Sequence, residues 1–139
     1  MYLDGKVTYC AQSPWIQNMS LRGNIVGKED EDGAPAAMSS DERKRYDTVL
    51  KVCALGPDVA QFKAGDATLI GDRGINLSGG QKARVSLARA VYAPSDVVIL
   101  DDIISAVDAH VARHITKGLL TGFLREEGED LYIPLVIGN

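Results

Sequence analysis

The sequence predicts an α/β fold built on a parallel sheet, and three observations carry that reading. Val97 to Leu100 (VVIL) is a continuous apolar run that ends abruptly in Asp101-Asp102, as a buried parallel strand does where its carboxyl end meets a ligand. Lys6 to Cys10 (KVTYC) alternates and is rich in β-formers, which predicts a second short strand. Two segments of helical periodicity, at 39–53 and from Ser78 on, lie between these runs.

The bulk numbers agree with one domain of ordinary size: 139 residues, of which 45% are apolar, supply a real core. A net charge of −4 argues against a nucleic-acid partner. Two cysteines, Cys10 and Cys53, are too few for a disulfide framework and fit a reducing compartment. No apolar stretch of the secretory type opens the chain. None approaches the roughly 18 residues of a membrane span.

Taken in order, the strand at 6–10 is broken by AQSPWIQN, with Pro14. Arg22 to Gly27 (RGNIVG) is too short to assign. Lys28 to Ser40 is acidic, then small and proline-containing, and predicts a solvated loop. Ser39 and Glu42 have the spacing of a capping box. Tyr46, Val49, Leu50 and Cys53 then fall at i, i+3, i+4 and i+7 of a helix, which Gly56-Pro57 is expected to stop. DATLIGDRGIN predicts mixed strand and turn. The helix after Ser78 gathers Ala83, Leu87, Ala90 and Val91 on one face and Lys82 and Arg89 on another, and Pro94 ends the region. A last helix is predicted from Asp108, a good N-cap, with Val107, Val111, Ile115 and Leu119 recurring every four residues. The tail carries a charge cluster and an apolar stretch interrupted by Pro134, and no internal repeat is present.

Two segments carry chemistry. Asp101 and Asp102, at a strand's carboxyl end, stand where α/β sheets bind ligands and where a carboxylate can hold Mg²⁺ in phosphate-transfer enzymes. They are also ordinary strand-end turn residues. In INLSGGQKARVSLARAV, a helix opens on Ser78-Gly79-Gly80. Backbone amides at a helix start favour an anion, and the two glycines let a phosphate approach the backbone closely. Ser78 adds a hydroxyl and Gln81 an amide. The plainer reading is a serine-capped helix after a glycine turn.

The order of these motifs adds what neither gives alone. LSGGQ at 77–81, VVILDD at 97–102 and SAVDAH at 105–110, preceded by TYCAQSPWIQNMSLRGNI at 8–25, resemble the signature, Walker B strand, D-loop and Q-loop of the ATP-binding-cassette (ABC) family. GDRG at 71–74 resembles the glutamate-arginine-glycine stretch of its exporters, with Asp72 in place of the glutamate. The resemblance covers roughly 5–119. It is most similar to the first cassette of multidrug-resistance-associated, C-subfamily exporters, departing at Ile103, where those commonly have proline.

What the resemblance implies follows residue by residue. The fold is a partial P-loop-type ATPase domain, parallel-sheet pieces plus a helical subdomain over 5–119, with an atypical tail at 120–139. Leu77, Ser78, Gly79, Gly80 and Gln81 would cover the γ-phosphate of an ATP held by a second cassette, docked head to tail. Gln12 would reach Mg²⁺ and the attacking water and couple the site to the membrane domain. Asp101 would serve Mg²⁺, Asp102 occupies the catalytic glutamate's position, and Asp108 would lie at the cassette–cassette contact. Trp15 to Arg22, with Asp72-Arg73, would face the transmembrane domains, placing the chain at the cytoplasmic side of a membrane. ATP and Mg²⁺ are the implied cofactors, and nucleic acid is not an implied partner.

The family's phosphate loop, G-x-x-x-x-G-K-[ST], is missing from these residues. The one look-alike, Gly23 to Glu29, has three residues between its glycines and ends in Glu29 where a hydroxyl is needed. The loop and the adenine-stacking aromatic are therefore expected upstream. His110 and His114, the only histidines, fall in the D-loop and its helix, where they are expected to pack on the surface rather than act as the family's switch histidine. Residues after Phe123 depart from the family pattern. Two readings follow: a fragment of an exporter's ATPase domain, or a truncated, inactive cassette that at most docks on intact ones. A chromosome-maintenance ATPase, which also carries the signature, is disfavoured because Gln12 and Ser78 stand only 66 positions apart, with no heptads between.

Overall fold

In the computed structural model, which describes residues 5–29, 36–72 and 75–123, the two predicted strands pair with each other. β1 (Val7–Cys10) and β4 (Val97–Leu100) run parallel, in register from Val7↔Val97 to Cys10↔Leu100. Parallel strands need a long crossover, and here it holds most of the core, to which Ile103, Ile115 and Leu119 add after β4. Burial on both faces, expected for Val97–Leu100, holds for one face only. Cys10, Val98 and Leu100 are buried, whereas Val7 and Tyr9 are exposed and Val97 and Ile99 half-buried. The reason is coverage: one face packs on a helix, and the described residues leave the other open.

The crossover begins with β2 (Met19–Ser20) and α1 (Leu21–Val26), so the unassigned RGNIVG segment is mostly helix. The Ser20 hydroxyl accepts from Gly23 N at 2.8 Å, and Gly27 closes the far end at φ 83°, a left-handed conformation that glycine adopts without steric cost. Leu21 and Ile25 enter the core, each 1% exposed. Fully burying such side chains contributes about 1.5–3 kcal/mol apiece.

α2 (Ser40–Val52) has the predicted capping box, with Glu42 N donating to the Ser39 hydroxyl at 3.2 Å and Ser39 N to the Glu42 carboxylate at 2.8 Å. Tyr46, Val49, Leu50 and Cys53 are all buried. The expected stop at Gly56-Pro57 is corrected. α2 ends at Val52, the chain turns at Ala54 with φ 55°, and Gly56-Pro57 opens a new helix, α3 (Gly56–Gln61). Proline suits a first helical turn, where its missing N–H would be unpaired anyway. A 3₁₀ turn (Gly65–Ala67) and β3 (Leu69–Ile70), antiparallel to β2, complete the mixed segment.

α4 (Gly79–Tyr92) is the spine of the molecule. Its buried residues include Ala83, Leu87, Ala90 and Val91, as the pattern predicts, and α1 and α2 both pack against it. Arg45 on α2 donates to the carbonyls of Val91 and Tyr92 at 3.2 and 2.9 Å, satisfying the helix end, and the Tyr46 and Tyr92 rings meet edge to face at 6.3 Å. After β4, a 3₁₀ turn (Ile103–Ala106) leads to α5 (Ala109–Gly118), which runs on into a π turn at Leu119–Phe123. Asp108 caps α5 as expected. Arg73, Gly74, the middle of the acidic loop and the tail from 124 lie outside the described residues. Among those described, no helix is long and apolar enough to cross a membrane.

Candidate functional site

The residues singled out by the sequence fall into two groups, and the fold sets each at the end of an element. The first lies where β1 and β4 end together. Because the strands are parallel and in register, the segment after Cys10 and the segment after Leu100 leave the sheet side by side, with Asp101 N donating to Cys10 O at 3.0 Å. Gln12 then reaches across, and its Nε2 donates to the Asp102 carboxylate at 3.2 Å. Tyr9 Oη donates to the Asp101 carboxylate at 2.6 Å. That bond, first, and the partial burial and negative charge beside it raise the Tyr9 pKa above its ordinary value. Both aspartates are half-buried and Gln12 is exposed.

Asp102 has φ 49°, a left-handed conformation that aspartate tolerates better than most residues. Its carbonyl accepts from Ser105 N at 3.2 Å and from Ser105 Oγ at 2.8 Å. That fastens the 3₁₀ turn and sends the chain toward Asp108. The Asp108 carboxylate accepts from His110 N and Val111 N, both at 3.1 Å; in this chain it is engaged in its own helix.

The donor set is one of hard oxygens: two adjacent carboxylates with an amide beside them. That chemistry fits Mg²⁺, which keeps several waters and is held through one or two carboxylates together with substrate phosphates. Among the described residues no group of three or more His, Cys, Asp or Glu side chains is placed to hold a metal ion.

The second group is the opening turn of α4. Ser78 is exposed at the N-cap; Gln81 N donates to its hydroxyl at 3.2 Å, and Ser78 N donates to Gln81 Oε1 at 2.8 Å. The reciprocal cap leaves the amides of Gly79 and Gly80 without an acceptor among the described residues. A Cβ at Gly79 would meet nothing within 4 Å, and one at Gly80 would lie 3.5 Å from Ala106 O. The turn is therefore open to an incoming anion, and bare backbone is what it offers. The Ser78 hydroxyl accepts within its own cap, which leaves its O–H free to donate, and the Gln81 amide donates one of its two hydrogens to Asp58 at 2.9 Å. Leu77 is 5% exposed and anchors the turn in the core. No hydrogen bond or ion pair among the described residues joins 77–81 to Asp101 or Asp102, so the two groups do not close on each other.

The segment expected to face a membrane domain sits on the other end of α4. Trp15 is 52% exposed. The Arg89 guanidinium lies 3.9 Å from the centre of its ring and donates to Trp15 O at 3.2 Å, Asn24 O at 2.6 Å and Asn24 Oδ1 at 2.9 Å. Burial holds the Arg89 pKa below its ordinary value. Gly71, at φ 96°, packs so closely on Gln17 and Asn18 that a Cβ there would lie 2.7 Å from Asn18 Oδ1. Asp72 thus stands beside the Trp15 loop. Arg22 is turned inward, in a two-point ion pair with Asp66 at 2.8 and 2.9 Å.

His114 Nε2 bonds the Lys51 carbonyl at 2.9 Å, and with His110 it lines a groove of about 530 Å³ between α2, α3 and α5 that includes none of Gln12, residues 77–81, Asp101 or Asp102. Two contributors escaped the sequence reading. Asp58 was not singled out, and Tyr9 was read only as part of a strand; the tertiary fold brings them to Gln81 and Asp101.

The sequence model described as ABC transporter matches residues 2–105. Multidrug resistance protein mrp-7 of Caenorhabditis elegans is 56% identical over 127 residues, covering 90% of this chain and 8% of that protein. ATP-binding cassette sub-family C member 4 of Homo sapiens is 46% identical over 124 residues (88% of this chain, 8% of that protein). An oligomycin resistance ATP-dependent permease of Saccharomyces cerevisiae is 46% identical over 122 residues, with the same coverage of 88% and 8%. The chain thus spans about a twelfth of the length of these relatives.

Proposed function

Because this chain belongs to the ABC transporter family, among relatives of the C-subfamily multidrug-resistance type, we propose that it is part of the first ATP-hydrolysing cassette of an exporter. In that reading the cassette couples ATP hydrolysis to movement of a solute through transmembrane domains, on the cytoplasmic side of the membrane. The observation that carries it is the division of the site. An open, glycine-backed helix start makes no hydrogen bond or ion pair to the chain's own carboxylates among the described residues, as expected if each composite site takes its phosphate cover from one cassette and its carboxylates from the other.

The residues divide the work. The Gly79 and Gly80 amides and the α4 dipole meet the γ-phosphate of ATP held by the partner cassette. Asp101 supports Mg²⁺ at this cassette's own site, where the ion would offset charge on the phosphates. Asp102 accepts a proton from water, and Gln12, already bonded to it, orients that water. Asp108 belongs to the cassette–cassette contact, and Trp15 to Arg22 with Asp72-Arg73 to the contact with the membrane domains. The test is Gly79→Asp in the full-length transporter. A carboxylate added where the partner's γ-phosphate must sit should abolish ATP-driven closure and transport. Normal ATP turnover in that variant would defeat the reading.

A second reading rests on one specific observation: these 139 residues contain no G-x-x-x-x-G-K-[ST] loop. The polypeptide alone is then an inactive cassette that at most docks on intact ones. Phosphate binding without several charged hydrogen bonds of about 1.5–3 kcal/mol each is weaker by orders of magnitude. The pure chain should show no steady ATPase activity. Turnover abolished by Asp101→Ala would overturn this.

A further inference from the structure

The cap that opens α4 depends on a carboxamide, and a carboxamide has two faces of opposite polarity. Gln81 must turn its oxygen toward Ser78 N, a donor, at 2.8 Å. Turned the other way, its NH₂ would confront that N–H, and the reciprocal cap would be lost. Ser78 alone does little to prevent the rotation, since the hydroxyl bonds the Gln81 backbone N and not its side chain.

Asp58 fixes the polarity. It stands on α3, and its Oδ1 takes the Gln81 Nε2 hydrogen at 2.9 Å. An ionised carboxylate only accepts hydrogen bonds, so it can face the NH₂ end and never the oxygen. Asp58 is in turn held from the other side by Arg84, which also donates to Ala54 O. The Asp58 and Arg84 side chains are each 14% exposed, and Ala54 is the left-handed residue, φ 55°, that turns the chain from α2 into α3. The carboxylate is thus placed by the α2–α3 turn and by α4 itself. Both of its contacts join α3 to α4. The one to Gln81 also sets the shape of the turn that leaves the Gly79 and Gly80 amides unpaired.

We infer that Asp58 is a positioning residue of the phosphate-facing turn, acting through the Gln81 carboxamide to hold the Ser78 cap closed. This inference rests on the proposed role of that turn toward a partner's ATP. It separates two roles that a single ion pair would confound: the Arg84 contact stabilises the fold, and the Gln81 contact serves ATP turnover.

The experiment compares Asp58→Ala, Gln81→Ala, Arg84→Ala and the double variant Asp58→Ala/Gln81→Ala in the full-length transporter. The readouts are kcat and KM for ATP, and thermal stability. Loss of a bond to a charged acceptor should lower kcat in Asp58→Ala on the order of tenfold, with KM nearly unchanged because ATP is held by the partner. Gln81→Ala, which leaves the Asp58–Arg84 pair intact, should show the same kcat loss with little change in melting temperature. It reports on the inference even if Asp58→Ala fails to fold. The double variant should be no slower than Gln81→Ala alone. Arg84→Ala should melt as early as Asp58→Ala but lose less kcat, because Asp58 keeps its bond to Gln81. If kcat instead follows melting temperature through all the variants, or if the Asp58 and Gln81 losses multiply, Asp58 is structural only and the inference is overturned. Gly79→Asp, run beside them, tells the two failures apart. Normal turnover there removes the phosphate-covering role itself, whereas lost turnover there with an unaffected Gln81→Ala removes only the role of Asp58.

Discussion

Arg89→Ala should cost this chain about 3–4 kcal/mol and release Trp15. The estimate starts from three donations, to Asn24 O at 2.6 Å, Asn24 Oδ1 at 2.9 Å and Trp15 O at 3.2 Å, and a ring contact at 3.9 Å. Hydrogen bonds from a charged donor contribute about 1.5–3 kcal/mol each, and the stacked guanidinium adds about 0.5–2 kcal/mol. One side chain makes all of these contacts, so they do not add. Asn24 Oδ1 also keeps a second donor, Gln17 N at 2.9 Å, which brings the total down. Against a usual domain stability of about 5–15 kcal/mol, the loss is large. Lysine should recover only about 1 kcal/mol, since an ammonium can bond one or two of the carbonyls but cannot stack as a planar fork. Trp15 is the sole tryptophan, so urea unfolding followed by its fluorescence reads stability and loop together. The variant should unfold at lower urea with reduced Trp15 anisotropy in the native baseline. A loss below about 1 kcal/mol with unchanged anisotropy would show that Arg89 does not clamp the loop.

Asp102→Glu should speed single-turnover hydrolysis at this cassette's own site in the full-length transporter, with the partner's site disabled. Aspartate is one methylene short of the family's glutamate, and a misplacement of about 1 Å can cost on the order of a hundredfold. An unchanged or lower rate would mean that Asp102 is not a shortened base. Glu42 supplies a pH dependence. Its bonds from Ser39 N and the Ser39 hydroxyl, then the charge of Lys28, hold its pKa below the ordinary 4.5. A group depressed on folding stabilises above its unfolded value and loses that contribution as pH falls through the folded one. Glu42→Gln keeps the capping geometry without the titration. The wild-type urea midpoint should therefore fall more steeply than the variant's below about pH 4.5. Parallel curves would remove Glu42 as a source of acid sensitivity.

Local chemistry was the part most legible in the sequence. The Ser39–Glu42 capping box, the serine cap at Ser78 and the Asp108 cap involve residues three apart or closer, and the fold has all of them, with Gln81 completing a second box at Ser78 that the pattern had not suggested. The strand pair was legible as two strands. Its half-open face was not, because coverage depends on what packs there. Gly56-Pro57 misled because proline both follows one helix and begins the next, and the turn between them is made by Ala54, an unremarked residue with φ 55°. RGNIVG gave no periodicity because α1 is only 6 residues long, too short to stand without tertiary contacts. At the candidate site, motif order singled out Gln12, Asp101 and Asp102 one by one. The bonds that join them, Gln12 to Asp102 and Tyr9 to Asp101, span 90 and 92 positions, and no local pattern encodes such a pairing.

α4 carries the open glycine turn at its first residues and the Arg89 clamp in its last turn. At about 1.5 Å per residue, the nine to ten residues from the glycines to Arg89 set these two points roughly 14–15 Å apart on one unbroken cylinder. It contains no proline or interior glycine that would let it bend, and α1 and α2 press against its sides. Such a member transmits tilt instead of absorbing it. A small rotation imposed at the Trp15 loop swings the glycine amides through an arc comparable to a hydrogen-bond length. A phosphate seated on those amides resists the same swing. Under the proposed function, the membrane side and the nucleotide side of this cassette move as two ends of one lever, and the sensitivity of each to the other is set by helix length and not by any chain of side-chain contacts.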